Sequence, residues 1–117
     1  MAQPQSGVPV WGDPVRVTNE NGLGPAIVVC EHASNFIPPH LNDLGLEADV
    51  RESHVAWDPG ALAVASAIAT TLDCPLVAAS ISRLVYDCNR PPSAESAMPA
   101  VSEIFPIPGN QDLLDEA

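Results

Sequence analysis

Lysine is absent from this 117-residue sequence, and the fixed cations are four arginines against 15 acidic residues, a net charge of -11. A surface of that sign repels nucleic-acid phosphates and anionic lipid, so neither is an expected partner. It leaves room for an acidic small molecule, because a pocket can be locally basic inside an acidic surface. No Cys-x-x-Cys pair occurs, which removes a zinc ribbon from consideration. The three cysteines, Cys30, Cys74 and Cys88, are odd in number and lie mostly among apolar neighbours. They read as reduced, mostly buried thiols of a cytoplasmic protein. No apolar run is long enough to cross a bilayer. No basic stretch followed by an apolar run opens the sequence, so no signal peptide is expected. No internal repeat is visible.

What is present is a chain with 46% hydrophobic residues, enough for one packed domain. Residues 1–24 are rich in Gly, Pro, Asn and Gln and read as an N-terminal arm that settles onto the domain near Trp11 and Val15. Ala26-Ile27-Val28-Val29-Cys30 is a continuous apolar run, the pattern of a strand covered on both faces. Polar residues Glu31 to Asn35 and then Pro38-Pro39 impose a loop. A short helix is expected around Leu41 to Leu44, closed by Gly45.

Asp58-Pro59 opens the clearest helix, with Asp58 as N-cap and Pro59 in the first turn. Leu62, Ala65, Ile68, Ala69 and Leu72 recur at helical spacing up to Asp73. Leu76 to Ala79 reads as a second strand and Leu84-Val85-Tyr86 as a third extended segment. From Pro91 onward the prolines forbid long regular elements, and the segment reads as a long active-site loop. Strand, loop, helix, strand is the order of an α/β layered fold with a crossover unit.

Chemistry gathers in three places. His32 follows the first strand, where open α/β sheets place ligands. Its imidazole can offer a nitrogen to a metal, with Glu31 or Asn35 orienting it, or can simply cap the strand end by hydrogen bonding. Asp58 is either an ordinary helix cap or a metal ligand, and His54, four residues earlier, reads as a supporting or structural residue. In the segment Ser82 to Pro91, Arg83 and Arg90 flank Asp87 and Asn89. Such guanidinium groups hold carboxylates in bidentate fashion, and one of them can stabilise an oxyanion; the alternative is an Arg–Asp salt bridge near a turn. His40 reads as a surface residue, and Pro108-Gly109-Asn110 as a turn.

Taken in order, Glu31-His32-Ala33-Ser34-Asn35, His54 to Ala61, Ser82 to Pro91 and Ile107-Pro108-Gly109-Asn110 resemble the N-formylglutamate amidohydrolase family. The resemblance runs from about Ala26 to Asn110. It implies a three-layer α/β/α fold with a mixed, mostly parallel sheet, similar to zinc carboxypeptidases and aspartoacylases. It implies hydrolysis of N-formyl-L-glutamate, or a similar N-acyl amino acid, to formate and the amino acid, late in histidine degradation. It further implies a divalent metal, zinc, held by His32, with Arg83 polarising the scissile carbonyl and Asp87, Asn89 and Arg90 binding the substrate carboxylate. Relatives carry a Glu three residues after the histidine, where Asn35 stands here, so Asp58 is the expected second ligand. Family members are roughly twice as long. Residues 25–117 are therefore expected to be the N-terminal portion of one catalytic domain, with another His ligand and the general base lying outside this sequence. The competing expectation is a non-catalytic or truncated module that binds small carboxylates without metal.

Overall fold

A computed structural model describes residues 12–111 and 113. Trp11 and the first part of the expected arm lie outside the described residues. The element at the centre is a β-α-β unit. Strand β2 (Val28–Cys30) leads through a long loop to helix α2 (Ala61–Leu72), which returns the chain to β3 (Leu76–Ala79). β2 and β3 pair in parallel, Val28 opposite Leu76 and Cys30 opposite Ala78. Before them, β1 (Val15–Thr18) pairs antiparallel with β3, giving a mixed sheet of order β1-β3-β2. The arm was expected to meet the domain near Val15, and Val15 is the first residue of this edge strand. Short β-branched stretches explain β1 and β2: Val and Thr lose little by extending on a pleated surface.

Two apolar clusters hold the chain. In the first, α2 lies on one face of the sheet through Ala65 and Ala69, against Cys30, Leu76 and Ala78. The alanines bring helix and strands close, and burying such small side chains stabilises by contact more than by area. The larger Ile68 and Leu72, expected on the buried face, are instead exposed. The second cluster contains no long helix or strand. Ile37, Leu44, Val55, Ala56, Leu84 and Ile107 pack the loops that follow β2 and β3 against one another.

Several local expectations are corrected. Asp58 does not cap α2 with its side chain. The cap is Gly60, whose φ of 86° suits a residue without Cβ, and the Ala61 N–H is taken by the backbone carbonyl of Asp58 at 3.0 Å. The Asp58 carboxylate is thereby left for other partners. Leu84 to Tyr86 is a turn and not a strand, because the Val85 N–H bonds back to the Ser82 carbonyl at 3.1 Å. Buried Ser82 enforces that turn: its hydroxyl donates to the Ala56 carbonyl at 2.7 Å and accepts the Leu84 N–H at 3.1 Å.

The helix expected around Leu41 is a 3-10 helix, Pro39–Gly45, broken by left-handed residues Asn42, Asp43 and Leu44. Left-handed backbone costs a non-glycine residue roughly 1–2 kcal/mol, and burial of the Leu44 side chain offsets part of it. A four-residue helix α1 (Ala48–Arg51) follows. The proline-rich tail forms a two-rung hairpin, β4 (Val101–Ser102) with β5 (Phe105–Pro106), and no long element.

Candidate active site

Parallel pairing puts the carboxyl ends of β2 and β3 at the same end of the sheet, so the loops that follow them emerge together. His32 is two residues beyond β2, and Arg83 is four beyond β3. Backbone bonds tie the loops to each other: the Asp58 N–H donates to the His32 carbonyl at 2.9 Å, Ser82 to Phe36 at 2.7 Å, and Arg83 to Ala56 at 3.3 Å. Residues 55 apart in sequence thus become neighbours.

The result is a closed ring of four side chains. His32 Nδ1 lies 3.3 Å from Asp58 Oδ2, and His32 Nε2 lies 2.8 Å from Asp87 Oδ1. Arg83 spans the same two carboxylates, with Nη1 3.7 Å from Asp58 and Nη2 3.4 Å from Asp87. Asp87 is buried, and its Oδ1 also accepts the Asn89 N–H at 3.0 Å. Burial alone would raise the Asp87 pKa. The hydrogen bond from His32, the Asn89 N–H and the nearby His32 and Arg83 charges outweigh it and hold the carboxyl below its ordinary value. Asp87 is therefore an ionised acceptor at neutral pH, and the proton on the shared bond belongs to His32 Nε2. The other ring nitrogen, Nδ1, faces the Asp58 carboxylate at 3.3 Å.

That pair has the spacing of metal ligands. Two donors bound to a tetrahedral zinc at about 2.0–2.1 Å stand about 3.3–3.4 Å apart, and Nδ1 and Oδ2 are 3.3 Å apart. A carboxylate on the far nitrogen is the usual arrangement that fixes a ligating imidazole. Among the described residues, no group of three His, Cys, Asp or Glu side chains converges on one point. Asp58 and Asp87 flank opposite nitrogens of one ring, so only the first could share a metal with it. His32 and Asp58 fit as two members of a ligand set.

The remaining candidates divide. Asn89 joins His32, Asp58 and Glu31 in lining an open cleft of about 710 Å³ between β2 and α2. Arg90 is exposed, and its guanidinium donates to the Asn89 carbonyl at 3.1 Å. The Asn35 amide is committed to the Arg51 carbonyl at 2.9 Å and takes no part in the ring. His54 is exposed and sits 2.8 Å from Glu103, and His40 is exposed as expected. Cys30 lines the cleft, but burial and then the Asp58 charge push its thiol pKa up, so it stays protonated at neutral pH.

Asn110, read from sequence as a plain turn residue, is an anchor. Its buried amide donates to the Leu84 carbonyl at 2.7 Å and the Pro99 carbonyl at 2.9 Å. Gly109 lets that turn approach: a Cβ there would meet the Leu44 Cα at 2.7 Å. An Asn directly after Pro-Gly was the available signal.

The profile of the N-formylglutamate amidohydrolase family matches residues 24–116. The chain belongs to that family. The family's solved structures include a gene product from Agrobacterium tumefaciens that is 54% identical, with a TM-score of 0.87 over 90% of this chain. The match covers 42% of that protein's chain, so the present sequence spans less than half of its length. No significant match is found among curated proteins. Among the described residues no helix is long and apolar enough to cross a membrane.

Proposed function

We propose that this chain carries part of the active site of a metal-dependent amidohydrolase acting on N-formyl-L-glutamate or a similar N-acyl amino acid. The observation that carries the reading is the His32 ring: one nitrogen 3.3 Å from one carboxylate, the other fixed at 2.8 Å by a second. Family membership supports amide hydrolysis as the reaction class. His32 and Asp58 would hold the metal, zinc because it accepts an imidazole nitrogen together with a carboxylate oxygen at this spacing. When bound, zinc would polarise the scissile carbonyl and bring the pKa of water toward about 7.

The chain's own residues do the rest. Asp87 keeps the His32 ring oriented, with Nδ1 turned toward Asp58. Arg83 is held by both carboxylates with its side chain 27% exposed, and its guanidinium beside Asp58 would stabilise an oxyanion developing there. Asn89 stands on the cleft wall, and the exposed guanidinium of Arg90 would exchange its bond to the Asn89 carbonyl for a substrate carboxylate. A further ligand and the general base would come from the part of a three-layer, zinc-peptidase-like domain that this sequence, matching 42% of its solved relative's chain, does not include. With formylglutamate as substrate, the products are formate and glutamate, a late step of histidine breakdown.

The test is elemental analysis of the full-length protein. One zinc per chain that is lost in both His32→Ala and Asp58→Ala supports the assignment; unchanged stoichiometry in His32→Ala refutes it. Calorimetry with formylglutamate in chelator separates the alternative. Metal-independent binding without turnover would replace the hydrolase with a carboxylate-binding module.

A further inference from the structure

A second cavity lies beside α2, over the edge strand β1. β1 reads Val-Arg-Val-Thr, and Arg16 and Thr18 stand opposite Ala78 and Leu76 of β3. Directly opposed residues share a face of the sheet, and Ala78 and Leu76 face α2. Arg16 and Thr18 therefore lie on the helix side. There α2 packs over β2 and β3, and next to it is a hollow of about 230 Å³. Arg16, Thr18, Ser34, Asn35, Ser66 and Ser80 form its polar wall. Trp57, Leu62 and Leu76 supply the apolar part. It shares no lining residue with the cleft that holds His32 and Asp58. Leu62 and Ser66 belong to one flank of α2, whereas Ala61, Val64, Ala65 and Ile68 line the cleft on another.

The chain carries 15 acidic residues, yet among the described residues none lines this cavity. Arg51 pairs with Asp43, Arg83 with Asp58 and Asp87, and Arg90 bonds to the Asn89 carbonyl. Arg16 is the one arginine of the four with no ion pair or hydrogen bond among the described residues. Asp13 lines an adjoining hollow, but its carboxylate accepts the Val15 N–H at 3.0 Å and does not pair with Arg16. The hydroxyls are similarly uncommitted. Ser34 Oγ accepts the Phe36 N–H at 3.0 Å and keeps its own hydrogen to donate. The hydroxyls of Thr18, Ser66 and Ser80 have no hydrogen bond among the described residues. An arginine on an edge strand can serve only to deter pairing. That role needs neither three serines nor a tryptophan around it, nor a wall without carboxylates.

We infer that this cavity is a second binding site, for a small aliphatic carboxylate. Arg16 takes the carboxylate, the Ser34 and Ser80 hydroxyls donate to it, and the tail lies against Leu62 and Trp57. The apolar wall favours an organic acid over inorganic phosphate, which has no apolar surface to place there. The site abuts the proposed active centre through the backbone, since Ala33 and Ser34 follow His32 and Trp57 precedes Asp58. An occupant therefore steadies the segments that carry both proposed metal ligands. That consequence rests on the proposed function; the binding itself rests only on the cavity.

The experiment titrates butyrate into the full-length protein in chelator, so that metal binding plays no part, and follows backbone amide and indole resonances by NMR. The expected result is a saturable shift of the Trp57 indole N–H and of the Ser34, Ser66 and Ser80 amides. Gly60 and Asn89, which line the other cleft, stay in place. Arg16→Gln should weaken binding by about tenfold or more, through loss of a charge-assisted pair. Arg16→Lys, which keeps the charge without the fork, should retain part of the affinity. Ser66→Leu should abolish binding by filling the cavity with the charge intact. Arg90→Gln should leave the butyrate affinity unchanged. Three outcomes would overturn the inference: no saturable shift at these residues, shifts that survive Arg16→Gln, or inorganic phosphate that binds there as tightly as butyrate. Butyrate held only in the cleft, and released by Arg90→Gln, would overturn it too while leaving the proposed function in place. Zinc stoichiometry unchanged in His32→Ala would remove the proposed function and leave this site standing.

Discussion

Replacing Asp87 by Asn keeps the shape of the side chain and removes its charge. The carboxylate now holds His32 Nε2 at 2.8 Å, the Asn89 N–H at 3.0 Å and Arg83 at 3.4 Å while only 3% of the residue is exposed. A hydrogen bond to a charged group contributes about 1.5–3 kcal/mol and a neutral one about 1 kcal/mol. The Arg83 contact, partly open to water, adds about 0–1 kcal/mol. The carboxamide keeps one acceptor but turns an N–H₂ toward donors. The expected loss at pH 7 is therefore about 1–3 kcal/mol, a fall in Tm of roughly 5–20 °C for a domain of this size.

The pH dependence gives a sharper test of the same substitution. The folded-state pKa of Asp87 is lowered, so its contribution is complete above the ordinary carboxylate value and is lost as pH falls through the lower, folded one. Thermal melts from pH 7 to pH 3 should show the gap between the parent and Asp87→Asn closing at the acid end. A gap that stays constant across that range would mean that Asp87 is not an ionised partner of His32 and Arg83, and the site argument would fail with it.

Other perturbations test the scaffold. A Cβ on Gly24 would meet the Leu72 carbonyl oxygen at 2.1 Å and the Cys74 Sγ at 2.7 Å, so Gly24→Ala should cost about 1–3 kcal/mol or more in a urea melt. Asn110→Ala strands the carbonyls of Leu84 and Pro99, and it should lower stability by about 2–4 kcal/mol with an unchanged urea m-value. Asp73 is acid-shifted because it accepts from the Asn19 amide and the Leu23 N–H. Its stabilisation should be present above the ordinary carboxylate pKa and fade below it. Asp73→Asn should flatten that part of the Tm–pH profile without altering neutral-pH activity of the full-length protein.

The apolar run before Cys30 and the run Leu76 to Ala79 announced two strands, and the helical spacing between them announced α2, although only Ala65 and Ala69 of that spacing are buried. The polar residues at the strand ends announced where chemistry would gather. The sequence could not say that Asp58 leaves its helix uncapped, since Gly60 taking the left-handed cap is a matter of local backbone geometry. Nor could it turn Leu84 to Tyr86 away from a strand: buried Ser82 does so by bonding to Ala56, 26 residues earlier. The pairing of His32 with Asp87 depends on two loops leaving the same end of a parallel pair, which only the fold provides. Composition and periodicity are local and survive in the chain itself. The ring of His32, Asp58, Arg83 and Asp87 is a long-range arrangement, and it exists only once the sheet and its loops have closed around it.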